Sequence, residues 1–270
     1  MLRKIGEWII ILILLIALPW AIIEYTHKEK VNTEEDQLQE YCILTLSDEV
    51  TSEYEDEMLK VQALLVRTTV YKEIEELKEE FWKNKNLQRE KNLDIRWRQK
   101  LEKVWEETEG QVIMYEDKLA LVPFHRLSNG KTRSGEEVLG TDEYPYLQTI
   151  ECMKDVSAEN QVQNIFIPES DVTVESWDGA GYVTNLTIRE DKLSGEEFRE
   201  KYGLPSSCFE VQDFDGQTRI LTKGIGHGLG LSQYSANEMA KDGKTYKEIL
   251  QFFFPGTEIK EVAEILWNIE

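Results

Sequence analysis

Four glycines at alternate positions, Gly224, Gly226, Gly228 and Gly230, constrain this chain more than any other feature. In an extended backbone successive side chains point to opposite faces, so this spacing strips one face and leaves Ile225, His227, Leu229 and Leu231 on the other. A bare backbone face lets a bulky ligand or another strand approach closely. Neither glycine register gives GxGxxG, and no Gly-Lys-Ser/Thr follows, so the segment is no phosphate cradle. Taken alone it reads as packing before it reads as a site.

Helix signals follow at once. Ser232 is placed to cap a helix running to about Lys241, with Asp242-Gly243 as its stop, and Thr245 with Glu248 forms a capping box for residues 246–253. Tyr234 then lies in a first turn beside the glycines, as a sugar contact or as a packed ring. Thr33 with Asp36 resembles an acidic capping box opening an earlier helix, with Leu38, Tyr41, Cys42, Thr45 and Leu46 on one stripe. Glu49 continues that stripe. A carboxylate at the end of an apolar face is partly desolvated, which raises its pKa towards what a general acid needs at neutral pH.

After a polar break at Thr51-Ser52-Glu53, a second helix is expected from about Asp56 into Glu80, with Leu59, Ala63, Val66 and Val70 facing the core. Lys60 and Arg67, two turns apart, share one side of it, as cations beside Glu49 or as a solvated basic edge. Helical character continues through residues 72–108, with Ile95, Leu101, Val104 and Trp105 as the docking face. From residue 111 the pattern changes to short strands: 112–115 and 119–122 about an Asp117 turn, then 163–167, 171–176 and 182–188, the last two separated by the turn Asp178-Gly179-Ala180-Gly181. His125 sits where a strand enters a glycine-containing turn. The class is α+β, a helical segment first, packed on a strand-rich body.

Residues 8–23 form an uncharged apolar run preceded by Arg3 and Lys4, the pattern of a transmembrane helix that keeps the N-terminus cytoplasmic. The run has no small-x-small cleavage site, which favours an uncleaved anchor over a signal peptide. The expected organisation is residues 1–27 as stub and anchor, 28–35 as a stalk, and 36–270 as the extracytoplasmic domain.

The formal charge is −21, and the four charges near the anchor, Arg3, Lys4, Glu7 and Glu24, cancel. A surface this acidic offers nothing to replace phosphate counterions, which excludes nucleic acid as a partner. An anionic substrate must instead be held by a few placed cations. The three cysteines, Cys42, Cys152 and Cys208, have no metal-ligand spacing and read as isolated buried thiols, with a Cys152–Cys208 bridge the alternative. The histidines number three, and no GxSxG elbow supplies a nucleophile for a triad.

These segments together resemble the stage II sporulation protein D family, which includes amidase enhancers of the cell wall. The first family signature is matched from Glu49 through Tyr54, Leu59, Lys60, Gln62, Ala63, Arg67 and Thr68. The second is matched by Phe124-His125, Ser128, Gly130, Thr132 and Tyr144-Pro145-Tyr146-Leu147, and the third from Gly224 to Thr257. The chain departs from the pattern at Val50-Thr51 in place of Met-Pro, at Arg126 and Asn129 in place of small residues, and at Ser235 in place of glycine.

The resemblance implies a membrane-anchored lytic transglycosylase acting on peptidoglycan glycan strands that have lost their stem peptides, at the septal membrane during sporulation. It assigns Glu49 as the catalytic acid, with Lys60 and Arg67 supporting it. His125, Ser128, Tyr146, His227, Gln233 and Tyr234 become candidates for substrate binding or catalytic support. A membrane-anchored cell-wall amidase and other engulfment proteins are the implied partners. Some clostridial members carry zinc on cysteines close after the motif histidine; this stretch has none, so no metal or other cofactor is expected. The rival expectation is a non-catalytic wall-binding scaffold or amidase enhancer.

Overall fold

The computed structural model describes residues 34–85 and 91–261. The expected anchor at residues 8–23 and the Thr33 cap lie outside the described residues. Among the described residues no helix is long and apolar enough to cross a membrane.

The helical segment opens with α1 (Glu34–Glu49), which takes in the last two residues expected of the stalk, and α2 (Asp56–Leu77). A short α3 (Glu79–Asn84) and then α4 (Ile95–Glu107), capped by Asp94, complete it. The expected α2 stripe, Leu59, Ala63, Val66 and Val70, is buried against Cys42, Ile43 and Leu46 of α1 and against Leu101, Val104 and Trp105 of α4. Sequence periodicity missed a second apolar face: Met58, Val61, Leu64 and Leu65 pack the other way, into the body of the molecule. A helix apolar all round belongs in the middle of a protein, and each fully buried leucine there contributes about 1.5–3 kcal/mol. Ile95, expected to dock, is 64% exposed, because it is the first residue of α4 and precedes the buried stripe.

The body alternates short strands and helices. β1 (Gln111–Tyr115) and β2 (Lys118–Leu119) form a tight hairpin whose Glu116 and Asp117 take φ of 48° and 61°, the left-handed geometry such turns need. β3 (Phe124–His125) is followed by α5 (Gly135–Leu139) and a 3-10 turn at Met153–Ser157. Next come β4 (Val162–Ile167), β5 (Val172–Trp177), β6 (Val183–Ile188), β7 (Asp191–Ser194), α6 (Gly195–Tyr202), β8 (Phe209–Phe214) and β9 (Gln217–Lys223). The chain then returns through β10 (Leu231–Ser232), α7 (Gln233–Lys241), α8 (Tyr246–Phe253) and β11 (Glu258–Glu261).

Two antiparallel sheets, β4-β9-β8 and β5-β6-β7, close over Leu186, Phe198, Phe209 and Ile220. β11 adds to β1, and β10 pairs in parallel with β3, Leu231 opposite Phe124 and Ser232 opposite His125. The α+β class is therefore as expected. Ser232 caps α7 by accepting from the Ser235 amide, and Thr245 with Glu248 makes a full capping box on α8. The three cysteines are free and buried.

The glycine segment is not the extended strand that its alternation suggests. Gly224, Gly226, Gly228 and Gly230 have φ of +82°, +110°, +77° and +73°, a backbone that L side chains rarely adopt. What comes close to them is protein. A Cβ on Gly230 would stand 2.0 Å from the Pro123 carbonyl oxygen, and one on Gly228 2.4 Å from the Tyr182 ring.

Candidate functional site

Glu49 is the last residue of α1 and its side chain is exposed. Its backbone is fastened from far along the chain. The Gln233 side-chain amide donates to the Glu49 carbonyl at 3.0 Å and to Gln62 Oε1 of α2 at 3.1 Å. A second clasp lies on the loop after Glu49, where the Glu55 amide donates to Asn237 Oδ1 of α7 at 2.9 Å. The first turns of α7 thus hold the end of α1 in place. Partial desolvation, with a smaller push from the neighbouring Asp48 carboxylate, raises the Glu49 pKa.

Lys60 and Arg67 do share a side of α2, but that side faces α4 and not Glu49. The Lys60 ammonium sits between Glu57, at 2.8 Å, and Glu107, at 2.9 Å. Arg67 is 1% exposed, and its guanidinium lies 3.8 Å from the Trp105 ring centroid. It donates to the carbonyls of Thr108 (2.7 Å), Gln111 (3.1 Å) and Trp105 (3.2 Å), closing off the last turn of α4. Backbone carbonyls at a helix C-terminus lack intrahelical donors, and a buried cation satisfies them. Both residues are engaged by partners on α2, on α4 and just after it.

Several other candidates are also interior. Tyr146 is 2% exposed, accepts from the Leu121 amide at 2.8 Å, and has its phenol pushed up to about 12 by burial. The Ser128 hydroxyl is buried and accepts from the Gly130 amide at 3.1 Å. His125 and His227 are brought together, ring centroids 5.9 Å apart. His125 is buried with Nδ1 against the Leu229 carbonyl at 3.2 Å; burial, helped by His227, lowers its pKa to about 3. Desolvation is also the main cause of the lowered His227 pKa, and its Nδ1 accepts from the Leu229 amide at 3.1 Å. Tyr234 is half-buried at the start of α7, where its amide donates to the Arg126 carbonyl at 3.1 Å.

Sequence reasoning missed the groups that lock the second and third motifs together. Asp155, fully buried, accepts from the Ser128 amide (2.7 Å), the Ser232 hydroxyl (2.7 Å) and the Ser235 hydroxyl. Arg133, 5% exposed, donates to Asp178 (2.6 Å), Glu196 (2.9 Å) and the His227 carbonyl (3.1 Å), and lies 4.9 Å from the Tyr182 ring centroid. No spacing marks either one: Asp155 follows Lys154 in a mixed stretch, and a buried charge looks in sequence like an exposed one. Among the described residues no three His, Cys, Asp or Glu side chains group as metal ligands.

The site is a helix-end glutamate whose backbone carbonyl is held by Gln233, the first residue of the helix that follows the glycine segment, within an α+β frame. The family model described as "Stage II sporulation protein" matches residues 26–115. The chain is 29% identical over 269 residues to Stage II sporulation protein D of Bacillus amyloliquefaciens, covering 87% of this chain and 77% of that one. It is 28% identical over 268 residues to the Bacillus subtilis protein of the same name, covering 87% and 78%. A stretch of 54 residues is 51% identical to the amidase enhancer of Bacillus subtilis, covering 20% of this chain and 8% of that one. The chain is thus similar to stage II sporulation protein D over most of its length, and the family model matches its first helical segment.

Proposed function

We propose that this chain works on the bacterial cell wall during sporulation as a peptidoglycan lytic transglycosylase, held at the membrane by residues 8–23, with Glu49 as its general acid. The observation that carries the reading is the exposed Glu49 carboxylate with a raised pKa, fixed at its backbone by Gln233. Protonated Glu49 gives its proton to the oxygen linking N-acetylmuramic acid to N-acetylglucosamine, and the C1–O bond breaks. The resulting carboxylate then takes the proton of the muramic acid 6-hydroxyl as O6 closes on C1. Water is neither consumed nor released, one carboxylate serves both transfers, and a 1,6-anhydro end remains.

The substrate in this reading is denuded glycan, supplied by a membrane-anchored amidase, and the place is the septal space of the sporulating cell. The test is mass spectrometry of the products from denuded strands given to the full-length protein. Anhydro ends are expected, with the rate reduced about 10²–10⁴-fold in Glu49→Gln. Undiminished cleavage by Glu49→Gln removes Glu49 from the mechanism.

A second reading, a non-catalytic enhancer of a separate amidase, draws on the 51% identity to the amidase enhancer and on the structural use of Lys60 and Arg67. It predicts that Glu49→Gln stimulates a purified amidase as well as the parent chain does.

A further inference from the structure

The cations that the family resemblance set beside Glu49 are engaged elsewhere, yet an anionic polymer meeting a chain of net charge −21 needs one. Arg126 fits that need. It follows buried His125 at the bend that ends β3, and it is exposed. Its position relative to Glu49 is fixed through α7. The Arg126 carbonyl accepts from the Tyr234 amide, and the adjacent Gln233 side chain donates to the Glu49 carbonyl. Its positive charge also reaches the phenol of Tyr54, on the loop directly after Glu49 that Asn237 clasps to α7.

Neighbouring cations are committed. Lys100 is held by Asp56 and the Tyr54 carbonyl, Lys154 by Asp242, and Lys241 by Glu238. Among the described residues Arg126 makes no ion pair. The family pattern has a small residue here, so the guanidinium is a feature of this chain.

We infer that Arg126 holds the carboxylate of the lactyl ether that muramic acid exposes once its stem peptide is removed, next to the sugar whose linkage Glu49 protonates. A guanidinium matches a carboxylate through two parallel N–H···O bonds, whereas an amide-linked lactyl group offers only a neutral carbonyl. Arg126 would therefore select strands that an amidase has already processed. The inference rests on the transglycosylase reading for the orientation of the strand.

The test measures equilibrium binding of the full-length protein in detergent to soluble denuded strands in two forms. One form keeps its lactyl carboxylates, and in the other they are converted to primary amides. The parent chain is expected to bind the acid form about tenfold or more tightly than the amide form. Arg126→Gln should lose that preference while binding the amide form as the parent does, and Arg126→Lys should keep part of it. Two outcomes overturn the inference: a preference that survives in Arg126→Gln, or a loss of affinity equal for both forms, which marks a purely structural role. Cleavage followed in the same samples separates the two claims. Strands that are bound with the expected preference but never cut sink the transglycosylase reading alone, and strands cut without any preference sink the Arg126 assignment alone.

Discussion

At Glu49 the raised pKa has a kinetic sign. In the proposed mechanism Glu49 acts in its protonated form, so cleavage should fall as pH rises through that pKa, and the alkaline limb of the pH–rate profile should belong to Glu49. Asp48→Asn removes the adjacent negative charge and should move that limb to lower pH; a limb that stays put assigns it to another group. His125 carries the opposite linkage to stability. Its folded pKa of about 3 against 6.5 unfolded means that the unfolded chain binds the extra proton between those values. Its contribution is full above pH 6.5 and is lost progressively as pH falls towards about 3. Denaturant midpoints measured across that window should fall more steeply for the parent chain than for His125→Gln. Parallel curves would mean that His125 does not set the acid limit.

Among the elements, α2 depends on Arg67 in a way that its charge does not suggest. Arg67→Met removes charged hydrogen bonds to the carbonyls of Thr108, Gln111 and Trp105, of which Thr108 and Trp105 keep weaker backbone donors, and should cost about 2–4 kcal/mol in a denaturant titration. The turnover of the molecules that remain folded should stay within a few-fold of the parent. A turnover loss of a hundredfold at unchanged stability would return Arg67 to the catalytic machinery. Two positive-φ glycines, Gly230 of the glycine segment and Gly243 beyond α7, offer a graded comparison. Gly243→Ala meets open space at φ +85° and should cost about 1–2 kcal/mol from backbone conformation alone. Gly230→Ala adds a 2.0 Å collision with the Pro123 carbonyl and should cost more than about 3 kcal/mol, enough to lower soluble yield. Equal destabilisation of the two would show that the close approach is relieved without strain.

Over the whole molecule, what could be read from sequence was what is local. The Ser232, Thr245 and Glu248 caps are complete within four residues, and each formed as expected. The stripe Leu59, Ala63, Val66 and Val70 repeats at helical spacing and is buried. The illegible part is set by partners far away. Nothing near Arg67 announces that Thr108 and Gln111 will lie over it, and nothing near Asp155 announces Ser128 and Ser232. Gly224 to Gly230 alternate as a strand would, but their contacts with Pro123, His125, Leu127 and Tyr182 hold them at positive φ instead. For the candidate site, periodicity found the helix end bearing Glu49, and the family motif pointed to Gln233. The bond between them was beyond reach, since 184 residues separate its ends.

That separation has a consequence for how the protein is made. Synthesis runs from the N-terminus, so Glu49 leaves the ribosome 184 residues before the glutamine that secures its backbone. A nascent or prematurely ended product carries the carboxylate without its clasp. On the proposed mechanism, chains stopped before Gln233 should leave glycan uncut, and assay of such truncations checks it.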